Sequence, residues 1–141
     1  MAAEKELPSW RFVSFKEAEI ETLPNHVRHW YSRPGMVKQT DILFVRAHFP
    51  AGQAHKFHIH PRMEEIIYIL SGTAEEWVEN EKRIVGPGDM IYIPAGAVHA
   101  TYNTGEETLE FLAILTPASA EGPDTIDVSE QEPWKSLRPW P

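Results

Sequence analysis

The sequence predicts an all-β sandwich or barrel, and three features carry that prediction. Between Thr40 and Leu115 the apolar residues fall in short runs rich in β-branched and aromatic side chains, the types that suit a half-buried pleated strand. Gly, Pro and Asn cut these runs too often for a long helix to fit between them. The chain has 141 residues, enough for one hydrophobic core and too few for two ordinary ones.

In chain order, residues 1–40 read as an arm with one or two short strands. It carries the aromatic stretch Trp10-Arg11-Phe12-Val13-Ser14-Phe15 and the His- and Arg-bearing stretch from Asn25 to Arg33. The barrel then occupies 41–116, with candidate strands at Ile42–Phe49, Lys56–His60, Glu65–Leu70, Ala74–Val78, Arg83–Val85, Met90–Ile93, Val98–Asn103 and Leu109–Leu115. Turn chemistry separates them at Pro50-Ala51-Gly52, Pro61, Ser71-Gly72, Glu79-Asn80-Glu81, Gly86-Pro87-Gly88-Asp89, Pro94-Ala95-Gly96 and Thr104-Gly105. Residues 117–141 hold five of the 12 prolines and read as an extended segment packed on the barrel, with Trp134 and Trp140 as anchors.

Composition excludes several function classes. Thirteen Lys and Arg against 21 Asp and Glu give a net charge of −8, the wrong sign for holding a phosphate backbone, so no nucleic acid is expected. The longest apolar runs, Ile66–Leu70 and Phe111–Leu115, are far short of a membrane span. Cysteine is absent, so thiolate nucleophiles and sulfur-held metals are excluded. The start, Met1-Ala2-Ala3-Glu4-Lys5-Glu6, lacks the basic and apolar segments of a secretory signal, and a cytoplasmic location is expected.

His58-Ile59-His60 lies in a run with strand character, where residues i and i+2 project to one face. Pro61 ends that strand, and the next opens with Glu64-Glu65, so a carboxylate can return beside the two imidazoles. His99 follows the Pro94-Ala95-Gly96 turn and opens a further strand. Three nitrogens and one oxygen from separate strands meet only if the sheet closes on itself, as a barrel does.

These residues fall at offsets that resemble both motifs of the cupin family. The first runs Gly52, His58-x-His60, Glu65 and Gly72; the second runs Gly88, Pro94-x-Gly96, His99 and Asn103, with 15 residues between Gly72 and Gly88. The resemblance implies a double-stranded β-helix, or jelly-roll barrel, enclosing one divalent metal held by His58, His60, Glu65 and His99. Glu64 is the rival of Glu65, and the six-residue count to Gly72 selects Glu65. Such a set leaves an octahedral ion two open positions, which favours iron, manganese or nickel; zinc is the alternative, which four ligands would saturate into a structural site. In the family the glycines and Pro94 are structural.

Strand parity places Ile67, Ile69, Thr101, Phe111 and Ala113, with Leu115 as a further choice, on the wall of the pocket. Lys56 shares parity with His58, so it and Tyr92 are the catalytic candidates, although a lysine reaching to solvent is the commoner outcome. Tyr92, Trp77, Met36 and Phe44 are additional pocket candidates. His26 and His29, near Arg28 and Arg33, read as a lid for an anionic substrate or, more commonly, as a solvated or dimer-contacting arm. His48 and His55 match no motif position and read as ordinary strand or loop histidines. Glu75, Glu76, Glu79 and Glu81 read as a solvated acidic face, and Asn103 as a strand-end hydrogen-bonding residue.

The function these features imply is a metal-dependent enzyme, oxygenase-like, acting on a small oxygenated molecule. The alternatives are redox-neutral decarboxylation or isomerisation at the same ion, or a module that only binds its ligand. A homodimer is expected, because Trp10, Phe12, Phe15 and Trp30 are many aromatics for an arm with nothing to cover.

Overall fold

A computed structural model describes residues 6–140; residues 1–5, on which most of the leader expectation rests, and Pro141 lie outside the described residues. All eight strands expected between Thr40 and Leu115 are present, and their ends differ from the sequence reading by two residues or fewer. Among the described residues the strands are β1 (Glu19–Thr22), β2 (Val27–Ser32), β3 (Leu43–Phe49), β4 (Ala54–Ile59), β5 (Glu64–Ser71) and β6 (Ala74–Val78). They continue with β7 (Glu81–Val85), β8 (Met90–Ile93), β9 (His99–Tyr102), β10 (Leu109–Thr116) and β11 (Ile126–Asp127). One helical turn, α1, spans Trp134–Leu137.

The strands form two antiparallel sheets facing each other, ordered β1-β2-β3-β10-β5-β8 and β11-β4-β9-β6-β7. Strict alternation on β3 and β10 turns Leu43, Val45, Ala47 and Phe49, with Leu109, Phe111, Ala113 and Leu115, inward. They meet Ile67 and Ile69 of β5, Ala74 of β6, Val85 of β7 and Ile93 of β8 in one core between the sheets. The arm contributes β1 and β2 as an extension of the first sheet, with Arg28 opposite Ala47 and Trp30 opposite Val45. That register puts Arg28 and Trp30 on the inner face.

A second cluster lies on the outer face of the other sheet. Ala54, Phe57, Trp77, Ala100 and Tyr102 are covered there by Val128, Trp134 and Trp140 of the tail. This covering overturns the expected acidic solvated face at two positions. Glu75 is buried under the tail, bonded by Trp77 Nε1 at 2.8 Å and paired with Arg138, whose guanidinium stacks between Tyr102 and Trp140 at 4.7 and 4.9 Å. Glu76, on the opposite face of β6, points between the sheets and accepts a 2.7 Å bond from Thr101. Both faces of β6 are covered, so alternation there puts neither glutamate in water.

Two polar links tie the motif turns together. The Gly96 N–H donates to the His60 carbonyl at 2.9 Å, joining the turn before β9 to the end of β4. Asn103, fully buried, donates to the carbonyls of Phe49 and Glu107 at 2.9 and 2.8 Å and accepts from Gly105 N–H. Its role is the strand-end bonding that the sequence suggested.

Candidate metal centre

Four side chains from three strands and one turn converge between the sheets. His58 leaves β4, His60 follows its last residue, Glu65 is the second residue of β5, and His99 opens β9 directly opposite His58. Each offers one donor atom, and the four donors lie within 4.8 Å of one another. All four side chains are buried.

The hydrogen bonds behind the rings decide which nitrogen faces inward. Nδ1 of His58 lies 2.6 Å from the Lys56 carbonyl, Nδ1 of His60 lies 2.9 Å from that of Asp124, and Nδ1 of His99 lies 3.1 Å from that of Ala97. A carbonyl only accepts, so each Nδ1 carries the proton and each Nε2 presents a lone pair to the centre. His99 Nε2 then stands 2.9 Å and His60 Nε2 3.4 Å from Glu65 Oε1. Both Glu65 Oε1 and His99 Nε2 are buried without a hydrogen-bond partner. Lone pairs held together in a buried space repel unless a cation lies at their focus, so this donor set fits a metal ion.

Without an ion, a proton on Nε2 stands in for it: against the effect of burial, hydrogen bonding between His60 and Glu65 raises the His60 imidazole above its ordinary value and, with His99, holds the Glu65 carboxyl well below the usual carboxylate range. A bound cation would take that proton's place. Burial, and then the neighbouring imidazole of His55, pushes His58 well below the ordinary histidine value and keeps it neutral. One carboxylate and neutral imidazoles would leave a bound divalent ion with a net charge of about +1.

A cavity of about 210 Å³ adjoins the cluster, with His60 and Glu65 on its wall. The sequence-predicted lining divides here. Phe111, Ala113 and Leu115 line the cavity, together with Val45, Ala47 and Phe49. Ile67 and Ile69 share the inner face with Glu65, but they pack into the solid half of the core near Ile93 and Ala74 and are not on the wall. Thr101 is buried and spends its hydroxyl on Glu76. The small side chains of Ala47 and Ala113 leave the opening on the β2–β3 side, whereas isoleucines fill the β5–β8 side.

Neither catalytic candidate reaches the cavity. The pairing of β4 with β9 slips between His55 and His58, a bulge that breaks alternation. Lys56 therefore points to the outer side, into the groove under the tail with Ser129 and Glu130, and His55 turns inward instead. Tyr92 sits on the outer face of β8, exposed, with its hydroxyl donating to Glu64 at 2.8 Å. Trp77 lies in the outer cluster, Met36 is buried without facing the cavity, and Phe44 is on the outer side of β3 beside Tyr31.

Residues that the sequence reading set aside form the rest of the wall. His55 stacks on His58 with ring centroids 3.5 Å apart, and Glu21, His26, Arg28 and Trp30 of the arm close the β1–β2 side. His29 instead faces outward, its ring tilted against Phe15 with centroids 4.5 Å apart. Spacing carried no signal for these residues, because they belong to no metal motif. The one available hint was the density of His and Arg between Asn25 and Arg33.

Comparison with known proteins agrees with this geometry. The family model described as a cupin domain matches residues 45–115, half of the chain. An uncharacterized protein of Aquifex aeolicus is 38% identical over 123 residues, 82% of this chain and 98% of the relative. A mannose-1-phosphate guanylyltransferase of Sinorhizobium fredii is 32% identical over 115 residues, covering 79% of this chain, and the match spans only 22% of that longer protein. The crystal structure of a predicted oxalate decarboxylase from Thermotoga maritima superposes with a TM-score of 0.68 at 27% identity, covering 76% of this chain and 99% of that one.

Proposed function

This chain belongs to the cupin domain family, and we propose that it is a metal-dependent enzyme acting on a small oxygenated organic molecule, with oxygenase-type chemistry as the first reading. The observation that carries the proposal is the buried convergence of His58, His60, Glu65 and His99 beside a cavity lined by both apolar and polar side chains. A bound iron, manganese or nickel ion would supply Lewis acidity and, where redox-active, a path for electrons between substrate and dioxygen. The three carbonyl-anchored imidazoles hold their donor atoms in place, so little reorganisation accompanies loading. Phe49, Phe111 and Leu115 make one side of the adjoining space apolar, which would limit side reactions with water there.

The size of the cavity restricts the substrate. At about 30 Å³ per water, 210 Å³ holds roughly seven waters, below the range that suits drug-sized ligands. Flavonoids are too large for it, and small acids, diketones and single catechol-sized rings are the compatible classes. A redox-neutral reading, decarboxylation at the same centre, is favoured by the likeness to the predicted oxalate decarboxylase.

Elemental analysis of protein purified without chelator or affinity nickel, compared with His99→Ala, tests the centre. About one iron, manganese or nickel per chain, lost in the variant, is the expected result. Oxygen uptake across small diketones, catechols and hydroxy acids separates the readings. Product without oxygen consumption selects the redox-neutral one, and no turnover with any of the three metals reduces the protein to a ligand-binding module. We also propose a homodimer, in which the exposed edge strand β1 with Ile20, and the exposed Trp10 and Phe12, meet a second copy.

A further inference from the structure

We propose that Arg28 is the anion anchor of the cavity, and that the substrate is a small carboxylic acid whose carboxylate sits on this guanidinium while a second oxygen-bearing end faces the four donors. The inference deepens the preceding reading and rests on it for the metal end alone. It starts from the contrast within the cavity: half-buried Arg28 shares the wall with apolar Val45, Ala47, Phe49 and Phe111, and the carboxylates on that wall are Glu21, Glu65 and the exposed Asp124. A permanently charged fork in such surroundings attracts an anion more strongly than it would in water.

The guanidinium is held by a chain of bonds whose directions are forced. Arg28 Nε can only donate, and it lies 3.0 Å from His26 Nε2, which must therefore accept. His26 Nδ1 then carries the proton and donates to Asn25 Oδ1 at 2.7 Å. That leaves the Asn25 amide nitrogen to donate to the Ala54 carbonyl at 2.9 Å, on the neighbouring sheet. The His26 ring is clamped by stacking on Phe49 with centroids 4.2 Å apart. Three side chains and one carbonyl thus fix the fork before any ligand arrives, which lowers the entropy cost of binding.

The remaining neighbours leave the fork available. Glu21 reaches Nη1 only at 3.4 Å, and its carboxylate also accepts from Trp30 Nε1 at 3.1 Å. Among the described residues Nη2 finds no partner. Glu21 is thus a competitor that holds the arginine in place and is displaced from it by a better-aligned carboxylate. A phosphate ester offers related chemistry but needs more room than a carboxylate beside Ala47 and Ala113, so the carboxylate is the assigned group.

Calorimetric titration of the purified protein with malonate, oxalate and malate, beside malonamide and inorganic phosphate, tests the assignment, with metal content measured on each sample. The expected result is binding of at least one acid, no binding of malonamide, and acid affinity reduced tenfold to a hundredfold in Arg28→Gln with metal content unchanged. Arg28→Lys should recover part of the loss, and Glu21→Gln should tighten binding severalfold by removing the competitor. Equal affinity in wild type and Arg28→Gln overturns the proposal, as does the absence of binding by all three acids at millimolar concentration. Phosphate binding more tightly than every acid overturns the carboxylate assignment. Arg28-dependent binding in a protein that holds no metal leaves the anchor standing and sinks the metal-centre reading instead, so the two failures are distinguishable.

Discussion

Acidifying the protein in the presence and absence of one imidazole isolates the bond chain behind Arg28. Burial, and then the Arg28 charge, lowers His26 from its ordinary value near 6.5 to about 4. The unfolded chain takes a proton on this ring as the pH falls through 6.5, and the folded chain declines it until about 4. The contribution of His26 to stability is therefore complete above pH 6.5 and drains away as the pH falls toward 4. Over that interval, at about 1.4 kcal/mol per pH unit, it reaches about 3 kcal/mol, and partial hydration from the cavity brings the expectation to about 2 kcal/mol. His26→Gln keeps an acceptor for Arg28 Nε and has no charge to gain. Urea unfolding of both proteins, followed by tryptophan fluorescence at pH 7.5 and 4.5, supplies the comparison. The variant should be the less stable at pH 7.5, having lost the stack on Phe49, and the gap should close by about 2 kcal/mol at pH 4.5. His48 and His58, also lowered by burial, titrate in both proteins and cancel to first order, whereas His55, whose ring neighbours His26, is coupled to it and is counted with it. Parallel losses in the two proteins would show that His26 is not held neutral in the folded chain.

Three further outcomes follow from single sites. Gly72→Ala puts a Cβ 2.8 Å from the Thr108 carbonyl oxygen and 3.0 Å from Leu109 Cα at a φ of +80°; since both neighbours are backbone, it should cost about 2–4 kcal/mol in urea unfolding, and a loss under about 1 kcal/mol would mean the turn relaxes freely. Arg138→Ala leaves Glu75 buried with only Trp77 as donor and removes the stack on Tyr102 and Trp140; the tail beyond β11 should become cleavable by limited proteolysis, and an unchanged digestion pattern counts against the lock. Burial pushes the Glu76 carboxyl well above its ordinary value, so its contribution is complete below about pH 4.5 and is lost as the pH rises through the folded value. Glu76→Gln keeps the bond from Thr101 without that loss, so its melting temperature should gain on the wild type between pH 5 and 9, and a constant difference would refute a neutral carboxyl at this position.

The strands and the donor set were legible because both are written in local spacing. Turn residues mark where β3 to β10 begin and end, and the offsets among Gly52, His58, His60, Glu65, His99 and Asn103 need no knowledge of packing. What escaped depends on which face of a strand is covered. The bulge in β4 is invisible in the pattern because Ala54 and Phe57 are apolar and buried, but under the tail and not in the barrel. A parity count from His58 therefore sent Lys56 inward and left His55 unnoticed. The same covering hid the burial of Glu75 and Glu76, since no sequence rule states that both faces of β6 are occupied.

The division of labour between arm and barrel follows from this. The donors sit where two sheets must meet in any closed structure of this topology, so their geometry is fixed by the core. The opposite wall belongs to β1 and β2, which attach to the barrel by the edge of β3 and pack no ligand of their own. Substitutions there alter the size and charge of the cavity while leaving Glu65 and the three imidazoles in place. Chains that share residues 45–115 but carry different arms should keep the same four donors beside differently shaped and charged cavities, and on the proposed function they would differ in the molecule they accept. On this argument the residues that distinguish one such protein from another are sought at positions equivalent to Glu21, His26, Arg28 and Trp30, outside both motifs.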